Sequence, residues 1–260
     1  MNNIWNTWQH FRLLRGHQHY GGNIIHQPEA DAAPLPDEFC LLVWNIFKGC
    51  KGAAFERDML AFADQANVLC LQEVMFDTQP QLPAPLMPMS WDYSPSYQRN
   101  DGIFEGVITL GKHAMADQGM RLESLGSEPV MATSKSAIAT TFRCANGHSL
   151  LVINIHMLLF RRLATAAAEL AQLIDHIEET DPDAPVLVVG DFNTLFPHQL
   201  RHLDDVMDAE GLSRVTPTFE PRKLMRLDHI YARNIKNAEL TIRHGIDSSD
   251  HPALLCQIRL

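Results

Sequence analysis

The chain reads first as a series of apolar runs whose spacing names the elements. FCLLVWNIF, Phe39 to Phe47, is predicted as a strand, and VLCLQEV, Val68 to Val74, as a second, buried one. Between them, GAAFERDMLAFADQANV sets Phe55, Met59, Phe62 and Ala66 at helical spacing and predicts an amphipathic helix. The proline-rich DTQPQLPAPLMPM offers too few backbone donors for a sheet interior and is expected to be a loop. Strands are expected at Trp91–Tyr97, Gly106–Leu110, Ser136–Phe142 and Leu150–His156. RRLATAAAELAQLIDHIEET is the clearest helix, with Leu163, Ala167, Leu170, Ile174 and Ile177 along one face. VLVVGDFNT then reads as a strand from Val186. A shorter helix over Gln199–Glu210 and strands near Leu227–Arg233, Ala238–Ile242 and Ala253–Ile258 follow.

About ten strands to three helices, with no internal repeat and no linker past residue 38, predict a single α/β domain over residues 39–260. Its natural form is two packed sheets flanked by helices, with loops clustered at one end. Residues 1–38, which hold GHQHYGG and QPEADAAPLPDE, are expected to form an irregular leader. The histidines there, His17, His19 and His26, have no carboxylate or cysteine companions that would favour a metal site.

Composition narrows the picture. Of 260 residues, 46% are hydrophobic and 20% charged, enough apolar material for a sizeable core. No apolar stretch approaches the roughly 18 residues needed to cross a bilayer. The first residues lack the apolar segment of a secretion signal. The five cysteines are scattered without a CxxC pair, which predicts reduced thiols and a cytoplasmic location. A formal net charge of −10 opposes sequence-indifferent binding to a polyanion. It leaves open catalysis on a phosphodiester, since a bound divalent metal reverses the local sign inside a cleft.

The chemistry is carried by the ends of the strands. LLVWN ends on Asn45, VLCLQE on Glu73, LLVINIH on Asn154 and His156, and VLVVGDFN on Asp191 and Asn193. RLDHIY carries Asp228, and SSDHPALL offers Asp250 and His251 ahead of the last strand. Each alone suits a solvated strand end. Together they assemble the carboxylates, carboxamides and imidazoles that a hard, oxygen-liganded cation and acid–base work on phosphate require.

WNIFKG, LQEV, NIH, GDFNT, LDHIY and SSDHPALL, in that order, resemble the signature of the endonuclease/exonuclease/phosphatase superfamily. That superfamily includes pancreatic-type deoxyribonucleases, abasic-site endonucleases, inositol-polyphosphate 5-phosphatases and neutral sphingomyelinases. The likeness runs from about Cys40 to Leu260. It is strongest to a bacterial branch, the YafD type, through LVWNI, KSA and NIH. It implies a DNase I-like four-layer sandwich of two packed, mainly antiparallel or mixed sheets flanked by helices.

The resemblance also implies roles. Glu73 matches the principal metal-binding glutamate, with Asn45 and Asp250 beside it, for Mg²⁺ or Mn²⁺ in its place. Asp191 matches the aspartate that orients or activates the attacking water, and Asn193 the amide that holds a phosphate oxygen. His251 matches the histidine at the scissile phosphate and Asp228 its carboxylate partner. His156 matches a general-acid candidate that abasic-site endonucleases lack, and Glu105 falls where deoxyribonucleases place a glutamate behind it. Lys135, Arg222, Lys223 and Arg226 are weaker candidates for phosphate contacts. His229, next to Asp228, is expected to face the other side of its strand as a structural histidine.

The expected activity is divalent-metal-dependent hydrolysis of a phosphodiester or phosphomonoester, with a nuclease as the leading reading and nucleic acid as its partner. A phosphatase or phosphodiesterase on inositol phosphates, lipid headgroups or small soluble phosphates is the alternative. A non-catalytic binding module with the same fold stays open as a second one. A serine or cysteine hydrolase is disfavoured, because the chain has no G-x-S-x-G elbow.

Overall fold

The structure is a computed structural model that describes residues 18–19, 23–29, 32–123, 127, 133–158, 171–173, 175–177, 179, 181–217 and 227–260. Its strands, in chain order, are β1 (Gln18–His19), β2 (Ile25–Gln27), β3 (Glu38–Asn45), β4 (Val68–Phe76), β5 (Ser90–Gln98), β6 (Phe104–Gly111) and β7 (Met120–Glu123). β8 (Ser136–Arg143), β9 (Ser149–His156), β10 (Val186–Asp191), β11 (Ser213–Arg214), β12 (Asp228–Arg233), β13 (Asn237–Arg243) and β14 (Ala253–Arg259) complete them. Two helices carry full boundaries, α1 (Ala53–Gln65) and α2 (Pro197–Ala209). Of the helix expected over 161–180, residues 171–173 and 175–177 are helical and the rest, apart from 179, lies outside the described residues.

The strands form two sheets. One runs β1-β5-β6-β4-β3-β14-β13, with β2 also paired to β5; the other runs β11-β12-β10-β9-β8-β7. Most pairings are antiparallel, but β3 with β4 and β9 with β10 are parallel. The central strands of both sheets therefore send their C-terminal ends toward a common edge of the sandwich.

Strand periodicity divides the apolar residues among three layers. Leu42, Trp44, Leu69 and Leu71 face outward onto Phe55, Met59 and Phe62 of α1. Trp44 meets Phe62 edge-on at 5.5 Å between ring centroids. Leu41, Val43, Val68, Cys70, Leu150, Val152, Leu187 and Val189 point inward and fill the space between the sheets. Leu151, Ile153, Val186 and Val188 face the other way, onto Leu203 and Met207 of α2 and onto Leu173 and Ile177. Helix, sheet, sheet, helix is the four-layer α/β sandwich expected. Each fully buried Leu or Val contributes about 1.5–3 kcal/mol relative to exposure.

The described part of the stretch expected to be irregular is stitched to the sandwich. β1 and β2 pair with β5, Leu35 is fully buried and bridged to Cys144, and His26 Nδ1 lies 2.7 Å from the buried Asp92 carboxylate. β3 begins at Glu38, within the leader as first drawn. The short β1, β2, β7 and β11 give no periodic signal because two to four residues are too few to show one.

Candidate active site

The inward face that builds the inter-sheet core also builds the site. Leu41, Val43 and Asn45 share that face of β3, and Val152, Asn154 and His156 share it on β9. On β10 the same alternation takes Leu187 and Val189 to Asp191. Register does the rest. Asp191 pairs with His156 on one side and with Asp228 on the other. Across the sheets, Asn45 Nδ2 donates to Asp191 Oδ2 at 3.1 Å, and Gln72 Nε2 donates to Asn154 Oδ1 at 2.7 Å.

Gly190 is required where it stands. Its φ is 134°, and a Cβ there would lie 2.0 Å from the Ile155 carbonyl oxygen. The positive φ would turn a Cβ onto the neighbouring strand, which carries His156 opposite Asp191.

Asp191 is buried and surrounded by nitrogen. Besides Asn45, His156 Nε2 stands 3.5 Å and His251 Nε2 3.8 Å from its Oδ2, while the Asn193 backbone N–H donates to Oδ1 at 3.0 Å. Burial first, and the neighbouring Asp228 second, push its carboxyl up to about 7, against the opposing pull of His251 and Asn45. His251 Nδ1 lies 2.9 Å from Asp228 Oδ2. Burial alone would lower this imidazole, but Asp228, then Asp191 and Asp250, raise it to about 10. His251 is thus held as an imidazolium between two carboxylates.

His156 differs from expectation. It is buried, and burial followed by Lys135 pushes it well below the ordinary histidine range, against Glu73. An imidazole so placed is neutral near pH 7, so it does not stand ready as the proton donor foreseen.

Glu73 also sits differently. The strand does not end there but runs on to Phe76, and the register between Leu71 and Val74 slips against β6. Gln72 and Glu73 together oppose one residue of β6, a bulge in which Glu73 takes φ 58°. Its carboxylate accepts from the Lys48 ammonium, which lies 3.6 Å from Glu105 Oε2 as well. Burial pushes the Glu73 carboxyl up, but Lys48, Lys135 and His156 outweigh it and hold the group well below the usual range. Glu105 accepts the Tyr97 hydroxyl at 2.5 Å rather than backing His156 directly.

Asn193 departs from strand alternation. β10 ends at Asp191, and Asn193 turns left-handed at φ 52° with its Nδ2 donating to the Met157 carbonyl at 2.7 Å. Phe192 packs on the α2 side of its sheet, against His229 and Tyr231, and His229 meets Thr194 at 2.8 Å. Asp250 is exposed but close enough to raise both Lys48 and His251. Lys135 is buried at the site, its charge acting on Glu73 and His156. Arg222, Lys223 and Arg226 lie outside the described residues. Lys48 was missed. Its signal was present in WNIFKG, a lysine three residues after Asn45 in the turn that leaves the strand.

A hard divalent cation, implied by the family signature, fits the donors around Glu73. The carboxylate is ionised, Asn45 Oδ1 accepts one bond from the Phe47 N–H and keeps a second lone pair, and Asp250 acts on the same Lys48 that Glu73 holds. Asp191, Asp228 and His251 also group closely enough for a metal, with ligand atoms within 4.8 Å of one another. There the imidazolium argues otherwise, because a ring whose two nitrogens both carry protons has no lone pair for a cation.

A family model described as the Endonuclease/Exonuclease/phosphatase family matches residues 42–251. A UPF0294 protein of Vibrio cholerae serotype O1 is 29% identical over 241 residues, covering 90% of this chain and 82% of its own length. An endonuclease/exonuclease/phosphatase from Beutenbergia cavernae superposes with a TM-score of 0.64 at 16% identity, over 86% of this chain and 72% of that one. TDP2 of D. rerio, solved with a single-strand DNA product, superposes with a TM-score of 0.57 at 16% identity, over 86% and 99%. These likenesses in structure share the fold.

Proposed function

This chain belongs to the endonuclease/exonuclease/phosphatase family, and from that premise we propose that it is a divalent-metal-dependent phosphoesterase, a nuclease before a phosphatase. The observation that carries the reading is the Asp191 carboxylate, raised to about 7 and set between the His251 imidazolium, His156 and Asn45.

Glu73, with Asn45 and Asp250, would hold Mg²⁺ or Mn²⁺. When bound, that ion supplies Lewis-acid polarisation of a non-bridging phosphate oxygen. Asp191, ionised above about pH 7, takes a proton from a water aligned for in-line attack. The His251 imidazolium, fixed by Asp228, stabilises negative charge growing on the phosphoryl oxygens. Asn193 braces the Asp191 carboxylate with its backbone N–H, and its amide nitrogen, one hydrogen of which goes to the Met157 carbonyl, offers the second to a phosphate oxygen. Neutral His156 hydrogen-bonds at the leaving-group side, and a phosphate anion beside it raises its affinity for a proton. Lys135 adds positive charge for the substrate. Arg222, Lys223 and Arg226 are proposed as further phosphate contacts.

Nucleic acid is favoured as the substrate by the single-strand DNA product held in the TDP2 neighbour. The four buried thiols and one exposed thiol, all unpaired, are in keeping with a cytoplasmic setting. No helix among the described residues is long and apolar enough to cross a membrane. The test is a Mg²⁺, Mn²⁺ and EDTA-controlled panel of plasmid DNA, abasic duplex, RNA, inositol phosphates and bis-p-nitrophenyl phosphate. Plasmid cleavage with Mg²⁺, lost in EDTA, supports the nuclease. Turnover of inositol phosphates alone replaces it with a phosphatase, and no metal-dependent turnover of any substrate refutes the enzyme.

A further inference from the structure

Lys48 occupies a position that the machinery around Asp191 does not use. Its ammonium donates to Glu73 Oε2 and stands 3.6 Å from Glu105 Oε2. The two acids come from neighbouring strands, Glu73 from the bulge in β4 and Glu105 from β6. Carboxylates brought this near one ammonium repel each other unless a cation stays between them.

The backbone is shaped to deliver that cation. Phe47, Lys48 and Gly49 take φ of 49°, 59° and 63°, and the Phe47 N–H is tied to Asn45 Oδ1 at 3.1 Å. Left-handed Phe and Lys carry a steric cost that glycine would avoid, so a simple chain reversal does not account for them. The turn sends the lysine across to the neighbouring strands, where it meets Glu73 of β4 and Glu105 of β6. Its side chain remains 19% exposed and carries the ammonium on a flexible four-carbon stem.

A divalent cation at Glu73 needs the carboxylate that Lys48 now holds. An ammonium and a dication repel at one carboxylate, so binding of the second moves the first. We propose that Lys48 is an exchangeable counter-cation: it occupies Glu73 until a divalent ion takes that carboxylate, then turns to the substrate phosphate while Glu105 keeps it at the site. The inference rests on the reading of Glu73 as the metal glutamate. It adds that metal loading and phosphate binding are coupled through one side chain.

The test is Mn²⁺ binding to the full chain, followed by the electron paramagnetic resonance signal of the free ion. Lys48→Met removes the competitor, and Lys48→Gln does so while keeping an uncharged hydrogen-bond donor one bond shorter, so that one folded variant is available. Both are expected to bind Mn²⁺ about tenfold more tightly than the unaltered chain. At saturating Mn²⁺ both should show a raised KM for bis-p-nitrophenyl phosphate. Glu73→Gln should lose Mn²⁺ affinity. Unchanged or weaker Mn²⁺ binding in both Lys48 variants, with Glu73→Gln still impaired, overturns the exchange alone. Unimpaired binding in Glu73→Gln overturns the metal assignment and the exchange with it.

Discussion

The two ends of the inter-sheet layer are made by the same strands and behave oppositely. At one end Leu41, Val43, Val68, Cys70, Leu187 and Val189 interlock with Leu254 and Cys256. At the other, two or four residues further along the same faces, stand Asn45, Gln72, Asn154, His156 and Asp191, all buried. The apolar end gains from leaving water. At the polar end every group forfeits hydration and must recover it from a partner, as Asn45 does from Asp191 and Gln72 from Asn154. The apolar half fixes how the sheets dock, and the docking fixes the polar half to within hydrogen-bond distance. The first supplies stability and the second spends part of it on geometry.

The sharpest way to break this contrast is at Asp191 or His251. Asp191→Ala and His251→Ala should each lower turnover of bis-p-nitrophenyl phosphate by about 10³-fold or more, while far-ultraviolet circular dichroism stays unchanged. Near-normal turnover in either would remove that residue from the chemistry. The mirror-image change is Leu187→Ala at the apolar end, which should cost about 2–5 kcal/mol of unfolding free energy. Urea titration reads the loss, and the turnover of the protein that remains folded should be close to unaltered.

The pH profile tests the polar end more finely. kcat/KM should rise through about pH 7 as Asp191 ionises and fall through about pH 10 as His251 loses its proton. Asp228 raises both groups, so Asp228→Asn should move both limbs toward acid. Movement of only one limb would separate the two titrations. The smallest effect is expected from the double change Gln72→Leu with Asn154→Leu. Replacing both amides leaves neither stranded, and the loss, about 1–3 kcal/mol, comes from the Leu71, Ile108 and Cys70 carbonyls they also serve; either change alone should cost more by stranding the other amide as well.

Much of this was legible in the chain because period-two alternation carries the apolar face directly into the site. Asn45, His156 and Asp191 continue runs whose inward parity is set several residues earlier, so their convergence could be read from sequence. What could not be read is where the backbone leaves that parity. Glu73 reaches the site through a bulge and Asn193 through a left-handed turn, neither of which the period of LQEV or GDFN announces. Lys48 escaped for the same reason, since its turn reverses a side chain that a regular strand would have sent elsewhere. The depressed imidazole of His156 depends on burial and on Lys135, which lies 21 positions earlier on the chain and is brought near only by folding.

The hydrogen bond between Asn45 and Asp191 spans 146 positions of the chain and joins one sheet to the other. Neither sheet by itself contains both Asp191, proposed to activate the water, and Glu73, proposed to hold the metal. On that proposal a half-folded chain, or one whose sheets have slipped apart, lacks a complete site however much secondary structure it retains. Hydrolytic activity in this architecture is an all-or-none report on assembly, which confines a phosphate-cleaving reagent to molecules that have finished folding.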